Sequence, residues 1–359
     1  MKQFFILFAG LLCLHGANAQ KNKIENVIVV TLDGMRWQEV FNGVDSALMN
    51  SKAYTRDGEG MKTKFWDAAP EVRRQKLLPF LWQTIAANGQ LHGNRAYGNQ
   101  VDVANKYRFS YPGYNELFTG YPDTAVNSND KVWNKNVNVL EFINSQPGFK
   151  GKVAAFATWD VFLYILNRQR SGLYVNADFD SFPATNPELR LLNDLQKLTT
   201  RPIDVRPDIF TYMAAREYLK VSKPRVLYLA FDETDDYAHG GQYDQYIKSA
   251  HAQDAMVADL WQTIQAMPQY KDKTALIIAT DHGRGDKDKK QWRDHGEGVP
   301  EASAIWIAAM GPGLPALGEV KTPAQLYQAQ VAATIASLLG IQFKVAHPVM
   351  PALQPVAGK

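Results

Sequence analysis

Residues 225–241 read RVLYLAFDETDDYAHGG, and this stretch decides the fold class. RVLYLAF has the continuous apolar character of a β-strand covered on both faces, the kind found inside a parallel sheet. Three aspartates, a glutamate and a histidine follow at once. Crowded carboxylates repel one another and resist ionising together, so acid at the end of a buried strand calls for a neutralising partner.

Four other stretches share the strand pattern: NVIVVTL at 26–32, KVAAFAT at 152–158, TALIIAT at 274–280 and AIWIAAM at 304–310. Amphipathic stretches lie between them, at 71–89, 207–221, 243–267 and 323–340, two of them ending at a glycine as helices often do. The alternation predicts an α/β fold, a central mostly parallel sheet with helices on both faces. Residues 160–205 are polar and turn-rich, as expected of a small insertion over one edge of the sheet. The proline-rich tail 347–359 is expected to wrap the surface. With no repeat and no low-complexity tract, residues 20–359 read as a single domain.

The amino end reads differently. A lysine precedes the apolar run FFILFAGLLCL, and ANA supplies the small residues a signal peptidase reads. Residues 1–19 are therefore expected to be a signal peptide cleaved after Ala19, leaving an exported, periplasmic or secreted protein. No later stretch is long and apolar enough to span a membrane. The single cysteine, Cys13, lies inside the signal, so disulfides are not expected and any metal must be held by nitrogen and oxygen. The net charge of +3, or +2 without Lys2 (3 − 1), is too small and dispersed for a nucleic-acid footprint. Nothing in the sequence reads out an oligomeric state.

Ligands of open α/β sheets gather at the carboxyl ends of the strands. There the sequence places Asp33, then Asp235 and His239, then Asp281 and His282, with His295 just before the next strand. Singly, an aspartate after a strand is a helix cap or turn former, an acid run is a solvated loop, and a histidine such as His92, His251 or His347 is structural. Together, three histidines in acid-rich, glycine-flanked loops point to metal. Asp235 and His239 stand four apart and share a face if the loop turns helically. Three carboxylates and three imidazoles suffice for a pair of divalent cations, which stand about 3.5–4 Å apart in two-metal enzymes. A nucleophile is available in SYPGYNELFTG, where Ser110 stands at the start of a short helix, a place that also welcomes phosphate; the alternative is a simple helix cap.

The set TLDG, SYPGYNELFTG, DDYAH, TDHG and DHGEG followed by AIWIAAMGPG resembles the alkaline phosphatase superfamily, especially its nucleotide pyrophosphatase/phosphodiesterase-like branch and related secreted alkaline phosphatases. The resemblance runs from about residue 25 to about 340. It implies an alkaline-phosphatase-like fold. It also implies two zinc ions, one on Asp235, His239 and His295 and the other on Asp33, Asp281 and His282, with Ser110 as nucleophile and further metal ligand beside the second. Members of this branch usually carry threonine at that position. NRQRSG resembles the Lys-x-Arg phosphate clamp of certain secreted alkaline phosphatases, with Arg168 and Arg170 as the pair; two solvated arginines are the plainer reading. Asn127 or Asn129 would be the phosphate-contacting asparagine.

The activity implied is hydrolysis of small phosphate monoesters through a phosphoseryl intermediate, with phosphodiester or nucleotide pyrophosphate cleavage as the alternative and an inactive metal-containing glycan- or phosphate-binding protein as the third. A sulfatase would need an arginine that SYPGY lacks, and cofactor-independent phosphoglycerate mutase is cytosolic and larger. Trp66, Trp133, Tyr164 and Trp292 could stack on a base or sugar, although core packing is the more ordinary role of each.

Overall fold

The computed structural model describes residues 24–200 and 204–357; the expected signal peptide and its cleavage site lie outside them. Eleven strands occur along the described chain: β1 (Asn26–Leu32), β2 (Gly89–His92), β3 (Asn99–Asp102), β4 (Val153–Ala157), β5 (Tyr174–Ala177), β6 (Val226–Phe231), β7 (Thr274–Ala279), β8 (Ala304–Ile305), β9 (Ile307–Met310), β10 (Gly318–Glu319) and β11 (Ala324–Tyr327). Eight form one sheet in the order β10-β2-β9-β7-β1-β6-β4-β5, and β11-β3-β8 form a second. Strands β7, β1, β6, β4 and β5 are mutually parallel, and β9 runs antiparallel to both neighbours.

Side-chain alternation along β1 explains why the sheet is covered twice. Ile28, Val30 and Leu32 enter one apolar core, together with Tyr212 and Leu219 of the helix Asp208–Ser222 and Tyr246 and Leu260 of the helix Tyr243–Ala266. Val27 and Val29 enter the other, with Leu117, Leu140 and Ile335 from the helices Ser110–Thr119, Val139–Asn144 and Gln330–Leu338. Both faces of the strand are buried, which is what a run with no polar alternation requires.

Three elements differ from the sequence reading. The helix expected over 71–89 stops at Leu77 and resumes as a π-helical turn, Leu81–Ile85, because Pro79 has no N–H to continue the ladder and disfavours helical geometry in Leu78. Half of the 323–340 stretch is not helical: Ala324–Tyr327 pairs with β3, and the helix begins at Gln330. AIWIAAM divides at Trp306 between the two sheets. Residues 160–205 lie at the sheet edge as expected, and within them β5 is the edge strand itself, paired with β4 from Ala154↔Tyr174 to Ala157↔Ala177.

The parallel run has one functional consequence. Strands β7, β1 and β6 end in step, with Thr31 of β1 paired to Ala279 and Ala230. The residues after five neighbouring strands therefore emerge along a single edge: Asp281 and His282, Asp33, Asp232 to His239, Trp159 and Asp160, and Asp178.

Candidate functional site

Trp159, Asp160, Asp178, Asp232, Asp235, Asp236 and His239 line a cavity of about 690 Å³, together with Ser110 and His295. Asp33, Asp281 and His282 are fully buried. His282 Nδ1 lies 3.0 Å from the carbonyl oxygen of Gly283, which fixes its proton there and turns the Nε2 lone pair inward. That nitrogen sits 3.4 Å from Asp33 Oδ1, 3.4 Å from Asp281 Oδ2 and 3.7 Å from Asp235 Oδ1. His295 is oriented the same way by the carbonyl of Arg108, 3.2 Å from its Nδ1, and its Nε2 faces His239 Nε2 at 2.9 Å. His239 Nε2 is 3.1 Å from Asp235 Oδ2, across one turn of the helix Glu233–His239.

All six residues expected as ligands therefore meet in one place. The coordinates group them as Asp33, Asp281 and His282, and as Asp235, His282 and His295, each with ligand atoms within 4.8 Å of one another. His282 belongs to both groups, and His239 approaches from the more exposed side.

The donor chemistry fits a cation. Asp33 Oδ1 and Asp281 Oδ2 are buried oxygens without a hydrogen-bond partner, an arrangement that is costly unless a positive charge completes it. Each remaining oxygen is fixed by the protein: Asp33 Oδ2 accepts from Tyr114 Oη at 2.9 Å, and Asp281 Oδ1 from the Gly34 amide at 3.1 Å. Burial, then the charge of Asp281, raises Asp33 well above the usual carboxylate range. Burial, then the charge of Asp235, pushes Asp281 up to about 7. Burial likewise lowers His282 to about 4 and His295 to about 2, so both imidazoles present neutral lone pairs.

Asp235 goes the other way. Burial opposes its ionisation, yet Arg284, followed by His239, holds it well below the usual range. The Arg284 guanidinium is buried, ion-paired with Asp235 Oδ1, and donates to the carbonyls of Gly34 (3.1 Å) and Arg293 (2.6 Å). The sequence reading missed this residue; its only signal was a cation two positions after His282 in DHGRGD. Only glycine fits at position 34: φ is +58°, and a β-carbon would stand 2.7 Å from both Arg284 and Asp235.

Ser110 begins the ten-residue helix Ser110–Thr119, and its Oγ lies 3.4 Å from His282 Nε2. Buried Glu116, one face of that helix, accepts from the amides of Ala104 and Asn105, and the Asn105 side chain accepts from the amide of Arg108. Arg108 is thereby held at φ 53°, and its carbonyl reaches both His295 and Gly296. One strained residue thus ties the helix that Ser110 begins to His295. On the other side Gly113 packs so closely on β7's end that a β-carbon would meet the Asp281 carbonyl oxygen at 2.5 Å. Gly113→Ala is expected to destabilise the fold by about 1–3 kcal/mol and to lower turnover further than the loss of folded protein explains; thermal melts run beside rate measurements check it.

The expected phosphate contacts divide. Asn129 lines the cavity, and its Oδ1 accepts from the Tyr111 amide at 2.9 Å. Asn127 faces a separate hollow with Trp133. Arg168 and Arg170 do not line the cavity. Arg168 is paired with Asp180, and Arg170 forks onto Glu141 and reaches the carbonyls of Asn134, Lys135 and Asn136. Asn167, at φ 46°, caps the short helix Arg168–Ser171 that carries both. Among the described residues lining the cavity, the cation is Lys131, paired with Asp160 at 2.5 Å, and the aromatic ring is Trp159. Trp292 is core, packed against Tyr54, Tyr243 and Tyr246, and Trp133 packs on Tyr164.

Comparison with known proteins agrees with this geometry. No curated protein matches the chain. Among solved structures, wild-type alkaline phosphatase PafA superposes with a TM-score of 0.62 at 11% identity, covering 94% of this chain and 99% of that one. Inactive murine ectonucleotide pyrophosphatase/phosphodiesterase 5 in complex with AMP gives 0.55 at 13%, covering 93% and 99%. The lipoteichoic acid synthase LtaP from Listeria monocytogenes gives 0.57 at 14%, covering 94% and 76%. The model of the family "Type I phosphodiesterase / nucleotide pyrophosphatase" matches residues 44–341. With that match over most of its length, the chain belongs to the type I phosphodiesterase/nucleotide pyrophosphatase family of phosphoric ester hydrolases, and it shares its fold with alkaline phosphatase PafA.

Proposed function

We propose that this protein is an exported phosphohydrolase that uses two divalent cations, zinc by ligand type, and that it acts on phosphodiesters in preference to monoesters. The observation that carries the choice of ester is the engagement of Arg168 and Arg170 with Asp180 and Glu141, away from the cavity. A monoester dianion brings a further negative oxygen that an arginine fork would meet. The described cavity wall offers only Lys131 and Asn129 for it, among several aspartates. A diester carries one charge fewer.

Asp33, Asp281 and His282 would hold one ion and Asp235, His239 and His295 the other. Bound there, the cations would supply charge neutralisation for the phosphoryl oxygens and acidify the serine hydroxyl. The protein's own part is position. The helix start presents Ser110 Oγ to phosphorus, an oxygen–phosphorus bond forms as the ester oxygen departs on the opposite side, and water later cleaves the phosphoseryl ester. Arg284 keeps Asp235 ionised and aimed at the cluster throughout.

The test is a comparison of kcat/KM on bis(4-nitrophenyl) phosphate and 4-nitrophenyl phosphate with zinc-supplemented protein. Faster diester turnover, removed by a chelator and restored by metal, is the expected result. Faster monoester turnover would return the reading to a phosphatase, and metal binding without turnover of either would leave a binding protein.

A further inference from the structure

On the two-cation reading above, we infer that Gln328 is a positioning residue for one of the ions. Its side-chain amide holds the turn that aims Asp281 and His282 into the cluster, and so sets how tightly the ion on Asp33, Asp281 and His282 is bound.

Adjacent residues of an extended strand face opposite sides of a sheet. Asp281 and His282 come one residue after β7, yet His282 Nε2 stands 3.4 Å from Asp281 Oδ2. The chain must therefore leave strand geometry as it passes Thr280, and the carbonyls of such a turn need partners from outside the ladder. The His282 carbonyl accepts from Thr280 Oγ1 at 3.1 Å, and that of Gly283 from His282 Nδ1 at 3.0 Å. The carbonyls of Thr280 and Asp281 both accept from Gln328 Nε2, at 2.8 Å each. One side chain closes the turn with both hydrogens of its amide.

Gln328 is itself fully buried and anchored. It follows β11, its backbone amide donates to the Asp102 carbonyl of β3 at 2.9 Å, and its carbonyl accepts from the Val331 amide at 2.9 Å. The second sheet is thereby joined to the ligand turn. Gln328 Oε1 is buried without a hydrogen-bond partner. A lone buried oxygen is destabilising, and the two N–H groups on the turn offset it. The Asp281 carbonyl is also the one against which Gly113 packs, so Gln328 and the helix that Ser110 begins bear on a single peptide group.

Groups that orient metal ligands in this way are felt in the affinity for the ion. The experiment titrates zinc into metal-free wild-type and Gln328→Met protein against a chromogenic chelator. Methionine keeps the length of the side chain and deletes both donors. His239→Ala protein, which lacks a ligand of the other ion, assigns the step that belongs to Asp33, Asp281 and His282. That step is expected to weaken roughly ten- to a hundredfold in Gln328→Met, with the other step unchanged. Turnover lost at limiting zinc should return as zinc is raised, which a merely loosened fold would not produce. Melting curves on the same samples report the folded fraction, and Gln328→Leu, equally without donors, replaces the methionine variant if that does not fold. Unchanged affinity at both steps, or equal weakening of both, overturns the inference. Wild-type protein that takes up no zinc would remove the two-cation reading and the inference with it, a failure seen before any variant is titrated.

Discussion

Ser110→Ala is expected to reduce diester turnover by roughly three to six orders of magnitude and to leave the bound metal in place. The reason is positional. Among the described residues lining the cavity, Ser110 carries the only hydroxyl, and it stands 3.4 Å from the histidine nitrogen shared by both ligand groups. Its loss removes the atom that forms the covalent bond and none of the six side chains that would bind the ions. Losses of this size are typical where a nucleophile is deleted and the electrostatic remainder of the site survives. Ser110→Thr keeps the hydroxyl and should retain turnover within about tenfold, because the defect comes from one added methyl near a helix start. Rates on a chromogenic diester, with metal content measured on the same samples, decide it. A Ser110→Ala protein with near-normal rates would mean that water, not serine, attacks phosphorus.

The fold and the cluster were legible because their signals are local and repeated. Five apolar runs without polar alternation announce strands buried on both faces, and four of the five are single strands of the main sheet. Once those strands are parallel, the residues after them must share an edge, so five of the six expected ligands become neighbours without any knowledge of side-chain packing. Glu233–His239 does turn helically, which places Asp235 and His239 together as their spacing required.

What stayed hidden depends on direction or on partners. Arg168 and Arg170 were placed by resemblance to a two-residue motif, but where an arginine points is decided by its turn and by acids far along the chain, Glu141 and Asp180 here. Arg284 was invisible for the complementary reason: a buried guanidinium reads in sequence as one more surface cation until Asp235, 49 residues away, is seen beside it. Lys131 and Trp159 reach the cavity from loops whose course follows from tertiary packing. Pro79 did carry a local signal, and giving it full weight would have shortened the helix expected over 71–89.

Removal of the divalent ions is expected to lower the melting temperature by roughly 10 °C at pH 8, with a smaller loss at pH 6.5. Ions that bind only the folded chain stabilise it in proportion to the logarithm of their saturation, and their removal also exposes the repulsion they offset. In the metal-free protein Asp33 stands well above the ordinary carboxylate range and Asp281 near 7, both chiefly through burial. A carboxyl group whose folded pKa is raised favours the folded state when protonated. Its contribution is complete below the unfolded value of 3.8 and is lost as pH climbs through the folded one. Asp236, pushed up to about 6 by burial and by Asp235, acts in the same sense. The histidines act oppositely, since burial lowers His282 to about 4 from 6.5, but their effect fades above pH 6.5 as the unfolded imidazole loses its proton. Asp235, held low, stays ionised throughout this range. Between pH 6.5 and 8 the raised carboxyls outweigh the fading tail of the histidine effect, so the metal-free protein should melt higher as pH falls across that window, while the loaded protein changes little. Melting curves with and without chelator at three pH values measure both slopes. A metal-free protein most stable at pH 8, or one indifferent to chelation there, would mean that these buried acids are neutralised by something other than bound cations.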